Sequence, residues 1–266
     1  MSLYDKEVPS YLDECLQSLS VQTLPAAEVV LVLDGPVNIS LLSVVELWRK
    51  KLNIKTVQLD ENHGLSFALN VGLRNCSYDY IARFDTDDIC FPQRFEKQIS
   101  FLLDNPSIDI CGTYAVDVDE DGNELGLRKV NSEPSEIKKY IWSCPVIHPS
   151  VIFRKEMIIN VGSYNKDAAY RQDDYDLWIR CVEFGATFSN IKEPLIYYRF
   201  PAGSEKKNNF MVGLNRFRLG IKPLIKYNPS VLSFLGLCYP MIRPLLPNFM
   251  LSFFKILTNS LDPRKK

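Results

Sequence analysis

The sequence predicts an α/β fold with a doubly wound, parallel sheet, and three observations support this fold class. Short apolar, β-favouring segments alternate with amphipathic segments of helical period along the N-terminal part of the chain. One apolar segment runs directly into a cluster of carboxylates, and strand ends are where open α/β sheets bind ligands. The chain has 266 residues, of which 46% are hydrophobic, so it can form one large domain with an ordinary core.

The first elements have clear local signals. Pro9 and Ser10 start a helix over 10–19, in which apolar residues recur at helical spacing. A continuous apolar run over 28–33 predicts a buried strand, which the turn dipeptide Asp34-Gly35 ends. The same alternation then continues, and the predicted elements are helix 41–52, strand 54–59, helix 65–75, strand 80–84 and helix 92–103.

Beyond residue 106 the pattern changes. Extended segments over 107–130 surround Asp121-Gly122-Asn123, a hairpin-like turn. A strand over 151–153 and a helix over 175–184 follow. After Arg199 the chain becomes basic, and then apolar with repeated prolines.

Charge is distributed unevenly. Residues 1–199 carry a net charge of −10 and residues 200–266 one of +9. A basic, apolar tail favours contact with an anionic membrane surface, although a helical extension packed on the domain explains it equally well. We expect no nucleic-acid partner, because the basic residues are scattered among apolar ones and no reader motif is present.

Cysteine usage bears on the compartment. The seven cysteines are dispersed and include no Cys-x-x-Cys pair, which favours buried thiols in a reducing compartment over zinc or disulfides. No signal peptide is recognisable, so we expect a cytoplasmic protein.

The carboxylate cluster is Asp85-Thr86-Asp87-Asp88. Like charges packed this closely are costly unless a cation or a ligand's donors neutralise them. Hard carboxylate oxygens suit Mg²⁺ or Mn²⁺, and an ion held in this way also binds phosphates. The alternative is a solvated acidic turn, which the apolar strand before the cluster makes less favourable.

Six short segments occur in an order and spacing that are typical of one enzyme family. They are Ser2-Leu3-Tyr4-Asp5-Lys6-Glu7, Val29-Val30-Leu31-Val32-Leu33-Asp34-Gly35, Asn62-His63-Gly64-Leu65-Ser66, Arg83-Phe84-Asp85-Thr86-Asp87-Asp88, His148-Pro149-Ser150 and Asp173-Asp174-Tyr175-Asp176-Leu177-Trp178. Together they resemble bacterial inverting glycosyltransferases of family 2, of the type that builds O-antigen or exopolysaccharide repeats.

This resemblance implies a GT-A fold, a Rossmann-like mixed sheet flanked by helices, with a helical C-terminal extension. It also implies transfer of a hexose from a nucleotide sugar, such as a UDP-hexose, to a saccharide on polyprenyl diphosphate at the inner face of the bacterial plasma membrane. The Gln-x-x-Arg-Trp signature of processive enzymes is absent, which indicates addition of one sugar per acceptor. The implied division is a catalytic domain over 1–200, with a nucleotide-binding part over 1–105 and an acceptor part over 106–200, and an extension over 201–266.

The resemblance also implies roles for individual residues. Asp87, with Asp85, would hold Mn²⁺ or Mg²⁺ against the diphosphate, and Asp34 would accept a hydrogen bond from the nucleobase unless it only caps a turn. Asp85 would also contact ribose, and Asp88 would support either role or cap a turn. The remaining residues expected to bind substrate are Tyr4, Asn62, Gly64, Arg83, His148, Asp173 and Trp178. Three of them have an alternative role: Arg83 could form an ion pair with the Asp cluster, His148 could be structural, and Trp178 could pack in the core.

Asp174 is the expected catalytic base. Glycosyl transfer to a hydroxyl needs a carboxylate that takes its proton as the new bond forms, and the transition state is oxocarbenium-like. The family usually has Glu-Asp where this chain has Asp173-Asp174, so the choice between the two carboxylates stays open. An acid-rich helix N-terminus is the structural alternative.

Two other functions fit parts of the sequence. A haloacid-dehalogenase-like phosphatase also places Asp-x-Asp after an apolar strand, but Ile89 stands where that motif expects Thr or Val.

The second alternative function is that of a degenerate, non-catalytic binding module. It is suggested by the first strand, whose apolar residues would lie before Met1, so we expect the true start to lie a few codons upstream.

Overall fold

The computed structural model describes residues 1–168, 172–200 and 209–247. Its helices are α1 (Pro9–Ser20), α2 (Ile39–Trp48), α3 (Leu65–Asn75), α4 (Arg94–Asp104), α5 (Pro134–Lys139), α6 (Lys155–Asn160), α7 (Asp173–Phe184), α8 (Phe210–Tyr227) and α9 (Val231–Ile242). Its strands are β1 (Ser2–Leu3), β2 (Val29–Leu33), β3 (Ile54–Gln58), β4 (Tyr80–Ala82), β5 (Ile89–Cys90), β6 (Ile110–Val118), β7 (Glu124–Arg128), β8 (Ile152–Arg154) and β9 (Phe188–Arg199).

The described strands form two sheets. β1, β2 and β3 make a parallel sheet in that order. The second sheet has the order β4-β8-β6-β9-β5, and β7 pairs with β6. In it only β6 and β9 pair in parallel, and the other pairs are antiparallel.

The strands after β3 therefore correct one expectation. The parallel pairing predicted from the alternation of strands and helices up to residue 103 is wrong beyond β3, and the mixed sheet implied by the family resemblance is what the structure has. The reason is the tight turn at Asp121-Gly122-Asn123, which joins β6 and β7 as an antiparallel hairpin. In addition, β8 runs antiparallel to both of its neighbours.

The apolar faces of the helices pack against the sheets and bury them. All five residues of β2 are buried, and α1 packs its Leu12, Cys15 and Leu16 into the same core. The indole of Trp48 at the end of α2 donates a 2.7 Å hydrogen bond to Asp13 of α1. This core holds in place the strand ends at which the carboxylates stand.

β1 is as short as the sequence predicts. Ser2 and Leu3 pair with Val32 and Leu33, and the amino group of Met1 donates to the Val30 carbonyl at 3.0 Å. Burial lowers the pKa of that amino group. A mainly apolar cavity of about 220 Å³ lies beside it, lined by residues of both β2 and β4. Arg83, the residue two before Asp85, also lines this cavity.

Helices α8 and α9 form the part of the predicted extension that the structure describes. Close backbone approach requires glycine here, because a Cβ at Gly213 would lie 2.5 Å from the Cα of Met241. Trp142, Leu224 and Leu237 form a small buried cluster beneath the two helices. Residues 201–208 and 248–266 of the predicted extension lie outside the described residues.

Among the described residues, no helix combines the length and the apolar character needed to cross a membrane.

Candidate active site

The carboxylates of Asp85, Asp87 and Asp88 converge after β4. Each offers an oxygen, and these oxygens all lie within 4.8 Å of one another. Asp85 forms a 2.5 Å ion pair with the buried guanidinium of Arg83. Asp88 Oδ1 accepts from the backbone N–H of Arg199 at 2.8 Å, whereas its buried Oδ2 has no hydrogen-bond partner among the described residues. An orphaned oxygen in a convergent carboxylate group is what a cation site requires.

Burial and mutual repulsion raise the pKa values of acids in this cluster, although Arg83 opposes the rise. Burial, followed by repulsion from Asp85, raises the pKa of Asp87 to about 6. Burial and the neighbouring carboxylates also raise the pKa of Asp88. Glu7, a residue that sequence analysis did not assign, belongs to the same group, because burial and repulsion from Asp87 and Asp85 raise its pKa to about 7.

Asp34 stands at the carboxyl end of β2 and organises the neighbouring loop. Its Oδ1 accepts from the N–H of His63 at 2.8 Å and its Oδ2 from that of Gly64 at 3.0 Å. The side chain of Asn62 donates to the Asp34 carbonyl at 3.2 Å. Gly35 allows this contact, since a Cβ there would lie 2.7 Å from the Asn62 nitrogen. Asp34 therefore has the turn role considered above, and each oxygen keeps a second lone pair for a ligand.

Tyr4 lies between Asp34 and the carboxylate cluster. The Asp34 N–H donates to the Leu3 carbonyl at 2.8 Å, so the end of β1 lies beside Asp34. Tyr4 follows at once and is exposed. Its pKa is raised by burial and by Glu7 and Asp87, which places its phenol near the cluster. The residues that the sequence assigned to the nucleotide thus line one edge of the β1–β2–β3 sheet.

The first turn of α7 carries the second carboxylate group. Burial raises the pKa values of both Asp173 and Asp174. Asp173 forms a side-chain hydrogen bond with Ser66 of α3, and Asp174 Oδ1 accepts from the Tyr175 N–H at 2.8 Å. Asp176, by contrast, is engaged by Arg180 at 2.8 Å.

Arg83 is the cation that the two carboxylate groups share. Its charge opposes the rise in pKa of Asp87 and Asp88 on one side and of Asp173 and Asp174 on the other. The structure thus brings the turn that carries Asp85, Asp87 and Asp88 (the Asp turn) and the start of α7 around one buried guanidinium. Arg83 forms the ion pair weighed in the sequence analysis and is itself only 5% exposed.

His148 and Trp178 are buried in the core and do not line the surface of the candidate site. His148 Nε2 is 2.8 Å from the Tyr164 hydroxyl, and burial lowers its pKa far below the ordinary value, so the imidazole is neutral. Trp178 is 0% exposed and packs edge-on against His148 and Phe188. The expectation that Trp178 binds substrate is therefore wrong for direct contact, and the core-packing alternative is what the structure shows.

Arg199, which served the sequence analysis only as a boundary, holds the Asp turn in place. Its Nε donates to the Asp87 carbonyl at 2.9 Å, and its Nη2 pairs with Glu14 of α1 at 2.6 Å. Its guanidinium also lies 4.0 Å from the ring centroid of Tyr11. No local pattern could reveal this role, because its partners lie more than 75 residues away in sequence.

The comparisons with known proteins agree with this geometry. The family model described as "Glycosyl transferase family 2" matches residues 1–162. The chain is 40% identical over 231 residues to an amylovoran biosynthesis glycosyltransferase, AmsE, of Erwinia amylovora, covering 84% of this chain and 85% of the relative. The chain belongs to glycosyltransferase family 2. This assignment favours the transferase over the phosphatase alternative and confirms the resemblance to polysaccharide-building enzymes.

Other relatives of this family 2 glycosyltransferase carry more specific names. It is 36% identical to the Escherichia coli UDP-Gal:alpha-D-GlcNAc-diphosphoundecaprenol beta-1,3-galactosyltransferase, covering 78% of this chain and 75% of the relative. Its fold is similar to that of S. aureus TarS in complex with UDP-GlcNAc, with a TM-score of 0.64, 18% identity and coverage of 98% and 75% of the two chains.

A second solved structure shows the same fold. The mannosyltransferase PcManGT of Pyrobaculum calidifontis, in complex with GDP-Man and Mn²⁺, matches with a TM-score of 0.64 at 14% identity, covering 98% of this chain and 80% of that one. The predicted GT-A fold is confirmed.

Replacing Arg199 with lysine is expected to slow this glycosyltransferase about tenfold, a loss of roughly 1.4 kcal/mol in transition-state stabilisation. Lysine keeps the charge but cannot reach Glu14 and the Asp87 carbonyl together, so the Asp turn loses one of its anchors. Initial rates at varied donor and metal concentrations measure the effect. Arg154→Lys is the matched control, since Arg154 bonds Tyr80 and loop carbonyls instead. Equal loss in both variants would contradict a specific role for Arg199.

Proposed function

We propose that this family 2 glycosyltransferase transfers one hexose from a UDP-sugar to a hydroxyl group of a lipid-linked saccharide, with inversion at the anomeric carbon. The observation that carries the proposal is the arrangement of the Asp turn and the Asp173-Asp174 pair around the buried guanidinium of Arg83. One group suits a diphosphate and its cation, and the other suits an incoming hydroxyl. The E. coli relative, named for UDP-Gal and a diphosphoundecaprenol acceptor, supports the choice of substrates.

The Asp turn fits a divalent metal ion. Three hard carboxylate ligands converge, and the buried Oδ2 of Asp88 has no hydrogen-bond partner among the described residues. Asp87 and Asp85, the ligands expected from the sequence, would hold Mn²⁺ or Mg²⁺, with Asp88 beside them. When bound, the ion supplies positive charge to the departing diphosphate.

The nucleotide side is assigned to the edge of the β1–β2–β3 sheet. Asp34 holds the loop through Asn62 and Gly64, and it has lone pairs left to accept an N–H from a base. Tyr4 is exposed beside the carboxylates and offers its ring to the nucleoside. These residues position the donor so that its diphosphate reaches the Asp turn.

Asp174 is proposed as the base. Its Oδ1 is oriented by the Tyr175 N–H, and α7 presents the carboxylate from its first turn. As the acceptor oxygen attacks the anomeric carbon, its proton passes to Asp174, and the bond to the diphosphate breaks on the opposite face of the sugar. Asp173, hydrogen-bonded to Ser66, would position the acceptor.

The setting of this reaction is proposed to be the inner face of the bacterial plasma membrane, in assembly of a surface polysaccharide. Support comes from the name of the E. amylovora relative and from the lipid-linked acceptor in the name of the E. coli one.

Binding of the donor can be tested by thermal shift with UDP, GDP and CMP, each with and without Mn²⁺. A ligand bound to the native state at a hundredfold excess over its Kd stabilises it by about 2.7 kcal/mol. We expect a metal-dependent shift with UDP, and transfer of galactose or glucose from the matching UDP-sugar to a GlcNAc-diphospholipid, with the new linkage read by NMR. A folded protein that shows no shift with any nucleotide would instead support the non-catalytic binding module.

The raised pKa values of Asp87, about 6, and Glu7, about 7, predict a pH dependence. Acids whose folded pKa is raised stabilise the metal-free protein fully only below their ordinary pKa of about 4, and this stability is lost as the pH rises from there through 6 to 7. In EDTA, Asp87→Asn should therefore gain more in Tm over the wild type at pH 7.5 than at pH 5. Differential scanning fluorimetry measures this, with the exposed Asp60→Asn as control. A constant difference between pH 5 and 7.5 would contradict it.

A further inference from the structure

Arg94, the first residue of α4, is a buried cation with uncharged partners. The residue is 0% exposed. Its Nε donates to the Gln98 side chain at 3.0 Å, and its two Nη atoms donate to the Cys90 sulfur at 3.3 Å and to the Arg83 carbonyl at 3.1 Å. Among the described residues, no carboxylate forms an ion pair with Arg94. Burying an unpaired cation is costly, so packing alone would favour a neutral side chain here.

The hydrogen bonds of Arg94 join the two ends of the Asp turn. This turn lies between β4 and β5, with Arg83 directly after β4 and Cys90 at the end of β5. Since Arg94 binds both of these residues, it bridges the chain on either side of the three carboxylates. Its guanidinium also lies 4.9 Å from the centre of the ring of Phe84, which precedes Asp85. A planar guanidinium has its donors in fixed directions, so these contacts set the distance between the ends of the turn.

The segment His148-Pro149-Ser150 supplies further acceptors to this network. The Val151 carbonyl, directly after the segment, accepts from the Arg83 N–H at 3.0 Å and from an Nη of Arg94 at 3.5 Å. The last carbonyl of the segment accepts from the Gln98 side chain at 2.9 Å. The backbone of this motif therefore supports the Asp turn from the core side, through the same side chains that bind its two ends.

We infer that Arg94 is a positioning residue for the proposed metal site, and that it holds the Asp turn from the core side in the spacing that a divalent ion needs. The inference rests on the proposed function, because it concerns the ion that this reaction would use. Three carboxylates whose oxygens lie within 4.8 Å repel one another, and a turn with free ends would open to separate them. Arg94 closes the turn against this repulsion, and its unpaired positive charge beside the turn acts in the same direction.

Arg94→Lys in the full chain tests the inference, because an ammonium keeps the charge but cannot reach the acceptors at both ends of the turn. Groups that support metal ligands typically contribute tenfold or more, so we expect roughly tenfold weaker Mn²⁺ binding by thermal shift and a roughly tenfold lower kcat. The KM for the acceptor should stay unchanged. In EDTA, amide hydrogen exchange over residues 83–90 should become about tenfold faster relative to that of β6.

Two further variants separate positioning from general stability. Leu102→Ala is the matched control, since Leu102 is equally buried on α4 and has no polar group to bind the turn. It should lower Tm through the cavity it leaves, but Mn²⁺ binding and the relative exchange of residues 83–90 should equal those of wild type. Cys90→Ala removes a single hydrogen bond of Arg94 and should weaken Mn²⁺ binding about two- to threefold.

Two outcomes would overturn the inference. One is wild-type Mn²⁺ affinity and exchange in Arg94→Lys, or in Cys90→Ala where Arg94→Lys does not fold. The other is an equal loss of Mn²⁺ affinity in Arg94→Lys and Leu102→Ala, which would leave Arg94 with a role in core stability alone. Failure of the proposed function is distinguishable from both, because wild type would then show no shift with UDP and Mn²⁺. The exchange of residues 83–90 in EDTA needs neither ligand and would still report on Arg94.

Discussion

Replacing Asp87 with asparagine is expected to reduce sugar transfer roughly 10³-fold, equivalent to about 4 kcal/mol of transition-state stabilisation. The amide has nearly the same shape as the carboxylate but no negative charge. The Asp turn then has one charged ligand fewer for a divalent ion, although Asp85 and Asp88 remain. Since the ion neutralises the diphosphate that leaves, the chemical step suffers more than donor binding does.

Two measurements separate this effect from general damage. Mn²⁺ titration followed by thermal shift should show at least tenfold weaker metal binding in Asp87→Asn, while the fold remains intact because the loss of a raised-pKa acid relieves repulsion. Asp176→Asn is a matched control, because Asp176 pairs with Arg180 and is not one of the three converging carboxylates. Wild-type rates in Asp87→Asn would remove the metal from the mechanism.

Local sequence signals predicted the first half of the fold well. The bounds of α3 agree with the prediction, because Gly64 at positive φ ends the preceding loop and apolar spacing defines the helix up to Asn75. The strand at β2 is equally clear, since an uninterrupted apolar run can only be buried. In both cases the information lies within a dozen consecutive residues.

The pairing of strands that are distant in sequence could not be predicted from local sequence signals. β9 contains the polar break Lys192-Glu193-Pro194, yet it continues past this break by pairing with β6 through irregular register at Thr113 and Tyr114. That pairing brings Arg199 to the Asp turn, and only the tertiary structure shows it. The motif containing Trp178 was recognised, but burial of that residue depends on Phe188 of β9 and could not be derived from the motif.

The site was predictable to the extent that strand ends determine it. Asp34, Asp85, Asp87 and Asp88 follow predicted strands, and the structure places them as that rule implies. Glu7 was missed because it lies in a turn after a two-residue strand, where no apolar pattern marks a strand end. Its nearness to Asp87 comes from the way β1 pairs with β2.

Replacing Asp174 with asparagine is expected to lower the rate roughly 10²- to 10⁴-fold, the usual contribution of a general base, while donor binding stays unchanged. Asp173→Asn should lose far less rate and should raise the KM for the acceptor, because the proposed role of Asp173, held by Ser66, is to position the acceptor and not to take its proton. Steady-state kinetics of both variants, with UDP-dependent thermal shift as the binding readout, distinguish the two carboxylates.

The comparison is informative because the two side chains differ in little else. Both stand in the first turn of α7, both have a pKa raised by burial, and both lie near Arg83. A helix N-terminus enriched in acids for stability alone would make the two substitutions equivalent, each costing a few tenths of a kcal/mol to about 1 kcal/mol in stability and nothing in rate. A large rate loss confined to Asp174→Asn would therefore assign the base, whereas the reverse pattern would move that role to Asp173 and leave the rest of the site unchanged.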